Sequence, residues 1–378
     1  MFPYSFKKLV SLDISDASME LMSLEKATFK PKIFSYNRVV LPYGIVFDGK
    51  ILHSKHLREC LKKLLVCARP NPIEGGLCLV SLPDSQVFTA SLSLPLSLRG
   101  KALKMFILHE IETSHPVSIK DIYFDFKVIS QDEERQNIFF AAAPKALVHS
   151  YCSVLREANL IPLVFDIETL SLSRALLHPS DAHKTILIAD IGARTTNVGL
   201  FENNTIAHIF LIEHGGDSIT NRIAGQLKIP LHLAEQMKRT AHIFSRACGI
   251  EVASSIEEEL NSIVQGLKRY IQYHLYSAKT DVDSIILCGG GAYVPGIHKF
   301  FQSKFRQNIE IRNPLKKLSI SEKDEKNIRC LYFANVLGLA LRALEATPET
   351  QGINLLHKAR SFAEAPEMNA IPSHTFTN

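Results

Sequence analysis

Two stretches of this sequence repeat one pattern: an apolar run that stops on an aspartate, a turn, and a second apolar run. In Thr185-Ile-Leu-Ile-Ala-Asp-Ile-Gly-Ala-Arg-Thr-Thr-Asn-Val-Gly-Leu-Phe201 the first run ends on Asp190 and Gly192 permits a tight bend. Ala193 to Asn197 then supply small side chains, hydroxyls and free backbone N–H groups. Val198 to Phe201 leads into Glu202-Asn203-Asn204, a turn signal. Lys8 to Asp13, followed by Met19 to Leu24, gives the same arrangement roughly 180 residues earlier. The repetition predicts two similar sheet units, each with a carboxylate at a strand end. Backbone N–H groups that converge in such a bend bind anions, and a strand-end carboxylate can hold hydrated Mg²⁺. Taken singly, each stretch is equally an ordinary hairpin turn.

The chain has 378 residues, enough for two or more domains and a sizeable core. At 46% hydrophobic and 21% charged it reads as a soluble globular protein. A net charge of +5, from 43 basic and 38 acidic residues, is too mild to imply nucleic acid, and no basic stretch is interleaved with aromatics. The cysteines (Cys60, Cys67, Cys78, Cys152, Cys248, Cys288 and Cys330) form no Cys-x-x-Cys pair, which supports neither a zinc site nor a redox motif. Their odd number fits a reducing cytosol. Leu9 to Leu12 is too short for a signal-peptide core, and no apolar run reaches the roughly 20 residues of a membrane span. Membrane association is expected only through a partner.

Lys32 to Val40 and Ile45 to Phe47 read as strands, with a turn at Asp48-Gly49. Leu57, Leu61, Leu64 and Leu65 recur at helical spacing within Ser54 to Ala68, for which Ser54 is the expected N-cap. Gly76 to Leu82 is a buried strand broken by Pro83-Asp84. Between 84 and 160 the order is β-α-β-β-α: strand Val87 to Leu94, helix Gly100 to Thr113, strands Ile122 to Ile129 and Asn137 to Ala143, and a helix from Pro144 to Ala158 opened by its proline. In the first of the two later strands, Ile122, Phe124, Phe126 and Val128 alternate toward a core. Leu163 to Phe165 returns to the main sheet, and a helix runs from Glu168 to Leu177. Helices are expected at Ser218 to Leu227, Leu231 to Arg239 and Ser255 to Ser277. In the last, Ile256, Leu260, Ile263, Val264, Leu267, Ile271 and Leu275 make one stripe. Strand Asp283 to Cys288, helix Ile297 to Lys304 and apolar helix Leu331 to Leu344 follow, and the polar tail 357–378 is expected to be disordered.

Three glycine-bearing turns follow strands: Asp190-Ile-Gly192, Gly215-Gly216 and Gly289-Gly290-Gly291. Ligands of α/β proteins bind at such strand ends. Gly289 to Gly291 would let a flat base or ribose lie against the backbone, or simply let a helix pack closely on a strand. If Asp13 and Asp190 face each other across a cleft, they repel unless a cation or phosphate-bound Mg²⁺ sits between them.

This ordered set of motifs resembles the actin-like ATPase superfamily, specifically its FtsA/PilM group of cell-division and type IV pilus assembly proteins. The resemblance covers about residues 5–356. It rests on both hairpins, on Leu41-Pro-Tyr-Gly-Ile-Val-Phe-Asp-Gly49, on Asp166-Ile-Glu168 opening a connecting helix, and on Gly215-Gly-Asp217. Glu235-x-x-Lys238, Gly289-Gly-Gly-Ala-Tyr-Val-Pro-Gly296 and Ile353-Asn-Leu-Leu356 complete it. It implies an α/β, two-lobed actin-like fold of duplicated ribonuclease-H-like domains with a small inserted domain 1C. The boundaries would be 1–83 and 161–182 for domain 1A, 84–160 for 1C, 183–213 and 282–356 for 2A, and 214–281 for 2B.

The resemblance also implies roles. Asp13 and Asp190 would orient Mg²⁺ through waters. Ser15, Ala17 and Ser18 of the first hairpin, with Gly192, Ala193, Arg194, Thr195 and Thr196 of the second, would hold the phosphates of ATP. Gly215, Gly216, Glu235, Lys238, Gly289, Gly290 and Gly291 would contact the nucleoside side. Glu168 would polarise the attacking water, or be a helix-start glutamate favoured by the dipole. Glu235 and Lys238 are alternatively an exposed i, i+3 ion pair.

The first hairpin departs from the group's pattern. Ser15 stands where glycine is usual and Glu20 where lysine is usual, and Asp16 would face a phosphate unfavourably. Arg194 could answer it as a phosphate contact or be simply exposed. The implied activity is at most that of a weak ATPase. The implied function is a cytoplasmic scaffold that docks the N-terminal cytoplasmic peptide of an inner-membrane pilus protein, PilN-like, with self-association as a further trait. Ile353 to Leu356 is either an imitation of that peptide or an ordinary terminal strand. One alternative is a filament-forming protein of the FtsA type, which predicts a C-terminal amphipathic helix that Pro366 and Pro372 oppose. Another is a small-molecule kinase on the same fold, which fold alone does not exclude.

Overall fold

The central strands of the two main sheets bury both faces. The computed structural model describes residues 9–114, 118–245 and 249–356; the tail 357–378 lies outside the described residues. Strands β1 (Val10–Ile14), β2 (Ser18–Glu25) and β3 (Lys32–Val40) form an antiparallel meander. A small hairpin, β4 (Val46–Phe47) and β5 (Lys50–Ile51), turns at Asp48 and Gly49, both at positive φ. Helix α1 (Ser54–Val66), β6 (Arg69–Pro70) and β7 (Gly76–Leu82) follow. The insert contributes β8 (Phe88–Pro95), α2 (Gly100–Ser114), β9 (Ile122–Gln131) and β10 (Arg135–Pro144). The chain returns through α3 (Lys145–Glu157), β11 (Leu160–Ile167) and α4 (Glu168–Leu176).

The second lobe opens with another meander: β12 (Thr185–Ile191), β13 (Thr196–Glu202) and β14 (Thr205–Ile212). Helices α5 (Gly216–Leu227), α6 (Leu231–Thr240) and α7 (Ile250–Ala278) cover it. Strand β15 (Ser284–Cys288), α8 (Ile297–Gln302), β16 (Asn308–Glu310), α9 (Glu322–Asn327) and α10 (Ala334–Ala343) complete the fold.

The strand orders establish the duplication. One sheet runs β11-β7-β1-β2-β3-β6 and the other β14-β13-β12-β15-β16. In each, an antiparallel three-strand meander is extended by two parallel strands on the side of its first strand. This is the two-lobed actin-like α/β arrangement.

Helices α4 and α10 lie between the two sheets. Ile186 and Ile188 of β12 join a core with Leu172 of α4 and Val336, Leu337 and Ala340 of α10. Leu187, Ala189 and Ile191 point the other way, into a second core with Ile256, Leu260 and Ile263 of α7. The period-2 alternation of a fully buried strand thus feeds two cores at once. Gly199 admits α4, because a Cβ there would lie 2.4 Å from Thr169 Cγ2. A buried ion cluster pins the layer. Arg342 Nη1 donates to Asp166 Oδ2 at 2.6 Å and to the Ile353 carbonyl at 2.6 Å, and Arg174 pairs with the same carboxylate.

Several sequence expectations shift. Ser54 is the first helical residue rather than the N-cap. The preceding His53 has a non-helical backbone, and its N–H is held by the Ile45 carbonyl, so His53 takes the N-cap position. Pro144 likewise precedes its helix. Val128 is exposed although it pairs with Ile138 on the same face as Phe124 and Phe126; the register shift at Asn137/Ile138 comes only after it. Leu275, near the end of α7, is also exposed. Helix α3 buries Leu147, Val148 and Tyr151 in the first-lobe core, whereas α2 with β8, β9 and β10 has a core of its own. The short elements β6, β16 and α9 have no periodicity by which the sequence could reveal them.

Gly338 marks the tightest crossing, where a Cβ would lie 1.7 Å from the Ser171 carbonyl oxygen. Neither helix backbone can yield cheaply. Gly338→Ala is expected to cost about 3 kcal/mol or more of stability, read as a lowered urea midpoint; an unchanged midpoint would mean the α4–α10 contact is looser than described.

Candidate functional site

The duplicated meanders end at equivalent points. Asp13 pairs in register with Glu20, and Asp190 with Asn197. Asp84 follows β7 and Glu168 opens α4, so four elements deliver carboxylates to one cleft between the lobes. Asp13 is buried, and it accepts from Ser81 Oγ at 3.1 Å. Ser81 accepts in turn from Asn335 Nδ2 at 3.1 Å. Asp84 accepts from Thr169 Oγ1 at 2.5 Å. Glu168 accepts from Asn197 Nδ2 at 2.8 Å and from the Asp84 N–H at 3.4 Å.

Burial and mutual repulsion push these acids up. Loss of solvation raises Asp13 to about 6 and Asp84 to about 6. Asp190 rises to about 7 through burial, then through the charges of Asp13 and Asp84. Glu168 lies well above the ordinary range through burial, then Asp84, Asp13 and Asp190. Glu20 reaches about 8, mainly by burial, although Arg38 Nε donates to it at 2.6 Å. The cleft is short of positive charge.

The residues fit a hydrated divalent cation. Among the described residues Asn335 Oδ1 is buried without a partner, leaving an acceptor oxygen beside Asp13 and Ser81. Among the described residues no three His, Cys, Asp or Glu side chains could ligate one ion together, so an ion here would keep its waters.

The β12–β13 turn has the form of an anion cradle. Gly192 N–H closes the bend on the Thr195 carbonyl at 2.9 Å, while the N–H groups of Ala193, Arg194 and Thr195 have no partner among the described residues. The turn lies on the start of α5: Gly216 and Asp217 N–H groups bond the carbonyls of Gly192 and Ala193 at 2.9 and 2.7 Å. Gly215 must be glycine, since a Cβ would lie 2.6 Å from the Ala193 oxygen. The buried Thr196 hydroxyl is committed to the His214 carbonyl at 2.7 Å.

Other expected residues have structural partners. In the first hairpin, Ser15 N–H and Oγ both donate to the Ser18 carbonyl, at 2.9 and 3.0 Å, and Ala17 accepts from Leu41 N–H. Ser15 does not adopt the left-handed backbone that glycine would permit. Gly289 and Gly291 pack against the end of β12, where Cβ atoms would meet Asp190 Oδ1 at 2.0 Å and Ile191 Cγ2 at 2.2 Å. Gly290 faces the Tyr332 ring. Glu235 and Lys238 are not an exposed pair: Lys238 is buried and bonds Glu235, Thr220 Oγ1 and the Gly216 carbonyl, fastening α6 to α5.

Arg194 reaches across the cleft to Asp16, at 3.2 Å, and to Asp48. Sequence reasoning missed Asp48, Asp84, Asn335, Asn197 and Arg38. Arg38 stands opposite Glu20 in the β2–β3 register and lies 4.0 Å over the Tyr332 ring. Its only signal was an arginine within a strand.

The family model described as type IV pilus assembly protein PilM matches residues 11–344. The solved PilM–PilN type IV pilus biogenesis complex is similar with TM-score 0.77 and 22% identity, covering 90% of this chain and 99% of that one. EutJ of Carboxydothermus hydrogenoformans matches with TM-score 0.54 and 16% identity, over 90% and 91% of the two chains. The cell-division protein FtsA of Streptococcus pneumoniae is 22% identical over 237 residues, 56% of this chain and 48% of FtsA. FtsA of Pseudomonas aeruginosa is 22% identical over 222 residues, 52% and 51% of the respective chains. The chain spans about half the length of these curated relatives.

The raised pKa values set the sign of the pH dependence. Each of these acids holds its proton longer folded than unfolded. The stability this allows is complete below their unfolded values near 4 and is lost as pH rises through 6 to 8. The cation-free thermal midpoint should fall by about 5 °C between about pH 5 and 8. Asp190→Asn should flatten the fall; a midpoint that climbs over this range would show the acids ionised and compensated.

Proposed function

Because the chain belongs to the PilM family of type IV pilus assembly proteins, we propose that it is a nucleotide-binding scaffold that couples a membrane partner to that assembly. The convergence of Asp13 and Asp190 at duplicated strand ends, beside a turn with free N–H groups, carries the nucleotide part of the reading. Asp13, Asp190 and Asn335 would hold hydrated Mg²⁺, which would neutralise phosphate charge when bound. Ala193, Arg194 and Thr195 would receive phosphate oxygens on backbone N–H groups, as in other nest-like anion sites. Glu168, which accepts from Asn197 Nδ2, would hold or accept a proton of an attacking water. Burial and the neighbouring acids raise its pKa, which disfavours the ionised form that a general base needs and so favours slow or no hydrolysis. An adenine nucleotide, ATP or ADP, then acts by shifting the balance between lobe arrangements.

The partner would be an N-terminal cytoplasmic peptide of an inner-membrane protein, PilN-like, bound as an extended segment beside the insert. This would bring the protein to the inner face of the membrane through its partner. No helix among the described residues is long and apolar enough to cross a membrane. A groove of about 500 Å³ runs along Tyr123, His149, Arg156, Ile161 and Leu356. Its neighbouring edge is already occupied by the chain itself. Leu355 N–H bonds the Phe165 carbonyl at 2.9 Å, Asn354 Oδ1 accepts from Phe165 N–H at 3.1 Å, and Asn354 N–H donates to Asp125 at 3.0 Å. Ile353 and Leu355 are buried there.

Mg-ATP or Mg-ADP at about 100 times its Kd should add roughly 2.7 kcal/mol of stability, a thermal shift that Asp190→Ala should abolish. No shift in either protein would leave a nucleotide-independent scaffold. If Ile353 to Leu356 imitates the partner peptide, deleting 352–378 should raise the affinity for that peptide about tenfold, equivalent to 1.4 kcal/mol. Unchanged affinity would make the segment an ordinary terminal strand.

A further inference from the structure

Arg194 sits at the tip of the second hairpin, yet its guanidinium forms ion pairs with two first-lobe acids. Nε lies 3.2 Å from Asp16 Oδ2, and Nη2 pairs with Asp48. The two acids are themselves fixed. Asp16 accepts the N–H groups of Asp48 and Gly49 at 3.0 and 2.9 Å, so the turn of the small hairpin folds onto its carboxylate. Gln86 donates to Asp48 at 2.8 Å. The buried Tyr151 hydroxyl donates to the Gly49 carbonyl at 2.9 Å. Gly49 is pressed so closely on Pro83 that a Cβ would lie 2.1 Å from Pro83 Cγ. The clasp is therefore preorganised on the first-lobe side, and Arg194 is the member that the second lobe contributes.

A phosphate that touched both hairpin turns would have to enter beside Asp16 and Asp48. It would meet two carboxylates and a guanidinium already engaged. Repulsion between like charges at such range is substantial even near the surface, and freeing Arg194 leaves two acids unpaired. Resting on the nucleotide reading above, we propose that the Arg194–Asp16–Asp48 clasp takes the place of a terminal phosphate: it joins the two hairpins without a ligand, and the cleft accepts a nucleoside diphosphate in preference to a triphosphate. Asp16 and Asp48 are then specificity-determining residues, and Arg194 is the bridge between the lobes.

The test uses the full chain with fluorescent Mg-ADP and Mg-ATP analogues. Wild type should bind the diphosphate about tenfold or more tightly than the triphosphate, a gap of 1.4 kcal/mol. The double variant Asp16→Asn with Asp48→Asn should close that gap by strengthening triphosphate binding, while Arg194→Gln should widen it. Equal affinities in wild type, or an unchanged ratio in the double variant, overturn the preference. Hydrogen exchange without nucleotide reads the clasp separately. Arg194→Gln should speed exchange of the Asp48 and Gly49 amides about tenfold, and unchanged exchange overturns the clasp. If no variant binds either nucleotide, the nucleotide reading falls and the preference with it, and the exchange result alone decides whether the lobes are clasped.

Discussion

The organisation of this molecule depends on burying like charges where two copies of one sheet motif meet. Asp13 and Asp190 end equivalent strands, and Asp84 and Glu168 are brought beside them by the elements that follow β7 and β11. The interior does contain cations near this seam, but they are committed elsewhere. Arg342 and Arg174 converge on Asp166, and Arg342 also ties down the carbonyls of Ile353 and Pro348. Asp166 is accordingly held below the ordinary carboxylate range: burial opposes its charge, but the two arginines outweigh it. Among the described residues, Asp13, Asp84 and Glu168 receive neutral donors, from serine, threonine and asparagine side chains and from backbone N–H groups. The fold thus separates a charge-balanced cluster, which fixes α4 against α10, from an unbalanced one, which is where a cation has most to offer.

The same separation explains what the sequence revealed. Strands such as Thr185 to Ile191 were legible because a buried β-strand must be apolar on both faces, and the duplication because both meanders stop on aspartate. Cleft acids outside that pattern were illegible. Asp84 looked like a strand breaker beside Pro83, and Asn335 lies in an apolar helix whose periodicity says nothing of what its polar residues meet. Their roles come from tertiary juxtaposition: Asn335 reaches Ser81 across 254 positions of sequence. Gly289 and Gly291 were legible as a glycine turn, but either reading of that turn requires glycine. The geometry gives them a packing role, with Asp190 and Ile191 as the close neighbours.

The altered first hairpin is best understood through pairs of residues. Read alone, Asp16 and Glu20 add two negative charges where phosphates would have to approach. In the fold each acid has an arginine. Glu20 is met by Arg38 from the adjoining strand, directly opposite in register, and Asp16 by Arg194 from the other lobe. The two arginines differ in freedom. Arg38 is hemmed between Glu20 and the Tyr332 ring, beside the glycine turn, and an arginine stacked on an aromatic face at 4.0 Å keeps its charge while losing little entropy. Arg194 spans the cleft, so a change of partner removes a contact between the lobes. If the cleft takes a nucleotide as proposed, redistribution of charge within the hairpin would couple that binding to lobe position more tightly than a lysine on the hairpin itself could. Such a lysine would meet a phosphate without breaking any contact between lobes, whereas a phosphate that takes Arg194 must first undo one.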